Sequence, residues 1–283
     1  MLDNKINPPT AKTSAGTGHP FDFECYGVKI RIEGNIQSLV DEAEKVARFS
    51  LLDDIRTVTS GGFDFTFTFE FMDDGFIRVK EGDNVVALEK NPKFLFDYFN
   101  SLIRIAVAEG AKERVFMHAG AVGWRGKAIV FPGTSFAGKS TLVAELVRNG
   151  AIYYSDDYAI FDVDGNLHPF PRTLSMRADD EAHSRYEVTP EDLGGSTGTA
   201  ALSVGSIVFT KYEKRAVWEP KVFSKGSGVL EMIPYTFSFR NRPEFSLPVL
   251  NNVARGAIII SSQRGSAEIF AKTILNFVDK HVD

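Results

Sequence analysis

Apolar positions in the first hundred or so residues alternate between a period of two and a period of three to four. Phe21, Phe23 and Cys25 alternate with Asp22 and Glu24. The phase shifts at Gly27, and Val28, Ile30 and Ile32 continue against Lys29, Arg31 and Glu33. Such alternation marks strands with one buried face, and a phase shift at a glycine predicts a bulge. Between Ile36 and Arg48, the residues Ile36, Leu39, Val40, Ala43, Val46 and Ala47 fall on one side of a helix. Phe63, Phe65, Phe67, Phe69 and Phe71 then alternate with polar residues, and Phe76–Lys80 and Val85–Leu88 extend the sheet around Gly82-Asp83. A phenylalanine stripe can line a ligand groove, but a sheet face packed on a core is the commoner arrangement. A helix over about 94–108, burying Leu95, Tyr98, Phe99, Leu102 and Ile103, closes the region. Residues 20–110 thus predict a small α+β lobe behind a tail, 1–19, rich in Asn, Pro, Thr, Ser and Gly. No Pro/Ser/Gly linker follows, which favours a lobe fused to residues 111–283 over a separate domain.

The pattern beyond residue 110 is α/β. Lys127–Phe131 is a short apolar run that reads as a buried strand and stops at Pro132. Thr141–Arg148 reads as a helix, with Leu142 and Leu146, and Val143 and Val147, at i, i+4 spacing, and Asn149-Gly150 supplies its stop. Between them stands Gly133-Thr-Ser-Phe-Ala-Gly-Lys-Ser140, a complete G-x-x-x-x-G-K-[ST] pattern in the strand, loop, helix order that its chemistry needs. The glycines let successive N–H groups face one anion, and the helix N-terminus adds its positive end. Lys139 is placed to reach β- and γ-phosphates and the Ser140 hydroxyl to ligate Mg²⁺.

One further unit along, the apolar run Ala151–Tyr154 leads into Ser155-Asp156-Asp157 and then Tyr158–Phe161. A strand ending in a carboxylate beside a phosphate loop holds Mg²⁺ in such proteins, and two adjacent carboxylates suggest one on the metal and one acting as general base. Arg172 and Arg177 are candidates to neutralise phosphoryl charge; Arg240, Arg242, Arg255 and Arg264 are scattered and read as surface residues. Thr189-Pro-Glu-Asp192 is a helix-start signature. The following Gly194–Thr199 is flexible by composition and reads either as a loop closing over an acceptor or as idle surface. Ser206–Lys211 and Gly256–Ser261 read as strands. From Ser266 a terminal helix turns Ile269, Phe270, Ile274, Phe277 and Val278 inward.

Residues 115 to 178 or so resemble the HPr kinase/phosphorylase-like P-loop kinases. The resemblance rests on His118 in Phe116-Met-His-Ala-Gly-Ala-Val122, on the loop Gly133–Ser140, on the pair Asp156-Asp157, and on the intervals between them. It implies an α/β P-loop kinase core of the HPr-kinase type over 111–283. It further implies that His118 lines the active site, that Asp156 is the base and that Asp157 is the metal-side carboxylate together with Ser140. Taken alone, a single His on an apolar strand is more often a hydrogen-bonded core residue. Nucleotide contacts would come from Gly133, Thr134, Ser135, Phe136, Ala137, Gly138, Lys139, Ser140, Thr141 and Arg177. Ser135 agrees with a serine common in that loop. The chain departs from the pattern at Phe136, where the family usually has Gly, and at Thr141, where it often has Glu. Leu174-Ser-Met-Arg-Ala178 keeps Arg177 but puts Ser175 at the place of a metal-side Glu, for which Asp179 or Asp180 would have to compensate. The basic segment associated with phosphorolysis has only a loose echo in Arg240-Asn-Arg242-Pro243. A divergent kinase is therefore expected, not a bifunctional HPr-modifying enzyme.

Composition narrows the classes further. With 43% hydrophobic residues in 283, the chain can bury a large core, and 24 Phe argue against intrinsic disorder. A net charge of −5 without a basic block points away from nucleic acid and from anionic membranes. Cys25 stands alone, so neither an intrachain disulfide nor a cysteine-rich metal site can form. No signal-like or membrane-spanning apolar run is present, so a cytoplasmic enzyme is expected. The expectation is an ATP- and Mg²⁺-dependent kinase acting on a hydroxyl, with a serine of a protein or peptide first and a small-molecule alcohol second. A nucleotide-binding regulator without transfer activity, an ATPase, and a phosphatase or phosphorylase stay open, as does homo-oligomerisation.

Overall fold

The computed structural model describes residues 18–52, 54–59, 61–134, 137–177 and 185–281, with Arg177 and Arg185 described by their backbone alone. Ser135, Phe136, Asp179, Asp180, the Arg177 side chain and most of the expected tail lie outside the described residues. The chain divides between Lys112 and Glu113 into two compact units.

In the first unit, β1 (Phe21–Cys25) and β2 (Val28–Gly34) form a hairpin with register Phe21↔Ile32, Phe23↔Ile30 and Cys25↔Val28. The phase shift in the sequence is a turn, not the expected bulge. Tyr26 and Gly27 both take positive φ, 48° and 77°, as a two-residue hairpin turn of matching twist requires. A two-residue turn reverses the chain while leaving 21, 23, 25 and 28, 30, 32 on one face. Helix α1 (Gln37–Ser50) and the short β3 (Arg56–Thr57), which pairs with β1, then carry the chain to a strand, β4 (Phe65–Phe71), that lies parallel to β2. Strand β4 is followed by the antiparallel β5 (Ile77–Glu81) and β6 (Asn84–Glu89), giving the order β3-β1-β2-β4-β5-β6 among the described residues.

Helix α2 (Pro92–Gly110) packs on the phenylalanine stripe. The Phe67 ring meets Phe99 edge-on at 5.3 Å, and Phe69 meets Phe99 at 4.9 Å and Phe96 at 5.7 Å. Tyr98, expected inside, is exposed. Asn91 caps this helix by accepting from Lys93 N, and Pro92 occupies the first turn, where no N–H is needed.

The second unit opens with β7 (Val115–Trp124), which turns at Arg125-Gly126 into the antiparallel β8 (Lys127–Pro132). Helix α3 (Lys139–Arg148), β9 (Ile152–Ser155), β10 (Tyr158–Phe161) and β11 (Leu167–His168) follow, and among the described residues β12 (Leu174–Arg177) pairs only with β13 (Arg185–Val188). Strand β14 (Val204–Tyr212), the short β15 (Lys221–Val222), α4 (Lys225–Met232), α5 (Pro243–Gly256), β16 (Ile258–Arg264) and α6 (Ala267–His281) complete the unit.

The main sheet runs β11-β10-β7-β8-β14-β16-β15, with β9 also on β7, and β8, β14 and β16 are parallel. Side chains of α3 and α6 fill one face and those of α4 and α5 the other. The C-terminal ends of the three parallel strands therefore share one edge, where open α/β sheets place their ligands.

Three sequence readings are revised in this unit. Thr189-Pro-Glu-Asp192 starts only a 3-10 turn, Glu191–Leu193, closed by reciprocal Thr189–Asp192 hydrogen bonds. The loop after it is not a free lid: Tyr153 N donates to Ser196 O at 2.8 Å and Gly198 N to Tyr153 O at 2.8 Å, tying it to β9. In α6, Ile269 is 70% exposed while Phe270, Ile274 and Val278 are buried. Among the described residues no helix is long and apolar enough to cross a membrane.

Candidate functional site

Strand β8 ends at Pro132, and Gly133 N donates to His118 O on the neighbouring β7 at 3.1 Å. The glycine loop is therefore anchored to the strand that carries His118. At its far end Gly138 takes φ +75° as the N-cap of α3, a left-handed conformation that glycine adopts without strain. Among the described residues no side chain caps α3. Helix starts without a side-chain cap leave amides that can meet an anion.

Lys139, the first residue of α3, folds back over the loop. Its Nζ donates to Gly133 O at 2.8 Å and Thr134 O at 2.9 Å, and lies 3.1 Å from His118 Nε2. Burial lowers its pKa to about 8, against the opposing pull of the Asp157 and Asp156 charges. Thr134 is exposed, Thr141 is exposed on α3, and Ala137 and Ser140 are half-buried.

The two aspartates, on the turn between β9 and β10, have different surroundings. Asp156 is 7% exposed. The Tyr153 hydroxyl lies 3.2 Å from its Oδ1 and 2.7 Å from Arg172 O. Burial raises the Asp156 pKa, as does the Asp157 charge. Hydrogen bonding from Ser140 and Tyr153 and the Arg172 charge pull the other way. Asp157 is more open, its side chain 33% exposed, and its Oδ1 lies 3.6 Å from His118 Nε2.

His118 Nε2 thus faces both Lys139 and Asp157. While that nitrogen accepts from the Lys139 ammonium it cannot donate to Asp157, so the two contacts compete for one lone pair or proton. Aromatic rings border the imidazole: Tyr158 at 6.5 Å and Phe237 at 6.2 Å, themselves 4.8 Å apart.

The structure therefore brings His118, Lys139, Ser140, Asp156 and Asp157 together around the glycine loop, with Arg172 close enough for its charge to act on Asp156. It does not bring Ser175 in as an acidic group. Ser175 is exposed on β12 opposite Glu187, whose carboxylate accepts from Thr173 Oγ1 at 3.0 Å.

Three residues were not legible as site residues. Tyr153 reads as one more apolar strand residue, and Phe237 lies in a segment without a motif. Arg264, expected at the surface, is 4% exposed. Its Nη2 donates to Gly138 O at 3.0 Å and Ala137 O at 3.2 Å.

No family model matches the chain, and no curated protein matches it in sequence. Among solved structures the chain is similar to the Hpr(Ser) kinase/phosphatase from Coxiella burnetii, at 11% identity and a TM-score of 0.30, over 59% of this chain and 95% of that one. The likeness is distant, and the functional reading rests on the site geometry.

Proposed function

We propose that the second unit binds a nucleoside triphosphate with Mg²⁺, ATP first, and that it transfers the terminal phosphoryl group to a hydroxyl acceptor, a serine of a protein or peptide before a small alcohol. One observation carries this reading. Two adjacent carboxylates at a strand end beside a glycine loop have separate partners, Asp156 with Ser140 and Asp157 with His118.

The residues present suit the implied groups. The start of α3 and Lys139 offer a polyphosphate its donors, while Ser140 and Asp156 offer a divalent cation hard oxygen ligands. Bound Mg-nucleotide would supply the phosphoryl group and neutralise its charge. The division of labour that the geometry favours is the reverse of the one the resemblance implies. Asp156, buried against Ser140, suits the metal side; Asp157, more open and beside His118, suits the acceptor side as general base. A phosphate that draws Lys139 off His118 frees Nε2 to pair with Asp157 and orient it. General-base help of this kind contributes about 10²–10⁴-fold.

Ser175 favours a second reading, because it puts a hydroxyl where a metal-side carboxylate was expected: a nucleotide-binding regulator without transfer. Calorimetric titration of ATP with Mg²⁺ into the protein tests the shared premise, and binding is the expected result. A folded protein that binds no nucleotide would sink both readings. Analysis of products, as phosphorylated serine peptide, free phosphate or neither, then separates transfer from hydrolysis and from regulation.

A further inference from the structure

Arg264 ends β16, the last of the three parallel strands, and is one of the few charged residues buried in the molecule. Among the described residues it has no carboxylate partner. Its guanidinium is instead spread over backbone carbonyls: Nη2 on Gly138 O and Ala137 O, and Nη1 on Gly265 O at 3.3 Å. Its Nε–H is buried without an acceptor among the described residues. On the same sheet face, at the end of β14, the Thr210 hydroxyl is likewise buried without a partner. The Tyr212 ring, 5.7 Å from the guanidinium carbon, gives it a cation–π contact.

Burying a cation without a counter-ion is costly, and burial pushes the Arg264 pKa below the ordinary arginine value. A fold gains little from such a group unless an anion completes it. Arg264 also lies close against Gly138: a Cβ there would stand 2.5 Å from Nη2, so a larger residue would have to displace the guanidinium. Gly138 therefore has a second role beside its positive φ, since it leaves room for the arginine fork.

We propose that Arg264 is a positioning residue for polyphosphate binding. It ties the carbonyl edge of the glycine loop, at Ala137 and Gly138, to the end of β16 and so fixes where the loop meets the start of α3. It also adds a fixed positive charge to the anion site, from a strand that the loop motif does not include. This rests on the nucleotide-binding reading above and extends it to a residue 126 positions away from the loop.

The test compares the unaltered chain, R264M and R264K, titrated with Mg-ATP, Mg-ADP and Mg-pyrophosphate, alongside the thermal midpoint of each without ligand. R264M is expected to weaken all three ligands by about tenfold or more and by a similar factor, because the effect passes through the loop and not through one phosphate. Its ligand-free Tm should stay level or rise, since an apolar chain replaces an unpaired buried cation. R264K, which keeps the charge but cannot fork across two carbonyls, should fall between R264M and the unaltered chain.

Ligand affinities in R264M equal to those of the unaltered chain would overturn the proposal alone. So would a Tm that collapses together with binding, or an R264M protein that does not fold, because either result marks a structural residue. An unaltered chain that binds none of the three ligands would overturn the nucleotide reading itself.

Discussion

The two units treat charge in opposite ways. In the first, side chains pointing inward from β1, β2, β4 and α2 are apolar, and the charged residues form pairs on the outer face. Arg31 bonds Asp22 at 2.7 Å, Lys80 bonds Glu70 at 2.8 Å, and Lys112 bonds Asp64 at 2.9 Å. In the second, the C-terminal edge of the sheet buries Asp156 and Arg264 and half-buries Lys139, and burial acts against the charge of all three. The first arrangement stabilises a fold and little else. The second holds charges against the cost of burial, an arrangement that clusters at functional sites.

Substitutions that exchange these behaviours sharpen the contrast. The largest effect on stability is expected in the first unit. F99A removes the ring that meets both Phe67 and Phe69 and should cost about 3–5 kcal/mol in urea denaturation. A loss under about 1 kcal/mol would show that the aromatic layer is not the core of that unit. In the second unit, K139M should reduce Mg-ATP affinity by about 100-fold or more while leaving Tm level or higher, because the removed ammonium is half-buried beside a second base. A parallel loss of Tm would assign Lys139 a structural part.

The pH dependence is smaller and has a definite sign. On the proposed reading Lys139 meets phosphate as the ammonium, and burial lowers its pKa to about 8. Affinity should therefore be level below about pH 7 and fall by up to about tenfold per unit above pH 8. Titration calorimetry at pH 6.5, 7.5, 8.5 and 9.5 reads this directly, and an affinity that rises with pH would contradict it. The smallest effect belongs to the surface pairs of the first unit. E70Q releases both Arg78 and Lys80 yet should cost about 1 kcal/mol or less, because all three side chains are partly solvated.

The same contrast explains what could be read from the chain. In the first unit propensity, period and burial agree, so the Phe65–Phe71 stripe and the face of α1 were legible at once. The turn at Tyr26-Gly27 was misread because a tyrosine at positive φ is uncommon, and only the pairing of Cys25 with Val28 reveals it. In the second unit the glycine loop and the aspartate pair announce themselves because each is contiguous in sequence. Arg264 was hidden, since its burial depends on β16 arriving beside a loop far away in the chain. For the Gly194–Thr199 loop, composition shows the freedom of a glycine-rich segment but not the backbone partners on β9 that tie it down. Helix α5 carries Pro248 in its interior, which blurs the local signal for a helix.

The most direct measurement is a paired comparison of D156N and D157N, each titrated with ATP in the presence and absence of Mg²⁺ and then assayed for transfer to a serine peptide that the unaltered chain phosphorylates. D156N is expected to lose the Mg²⁺ dependence of binding. D157N is expected to keep Mg-ATP affinity within about threefold while transfer slows by about 10²–10⁴-fold. The reverse pattern, with D157N losing the metal response and D156N keeping it, would contradict the assignment drawn from the Ser140 and His118 contacts. Two variants indistinguishable from the unaltered chain would remove the carboxylate pair from the chemistry altogether.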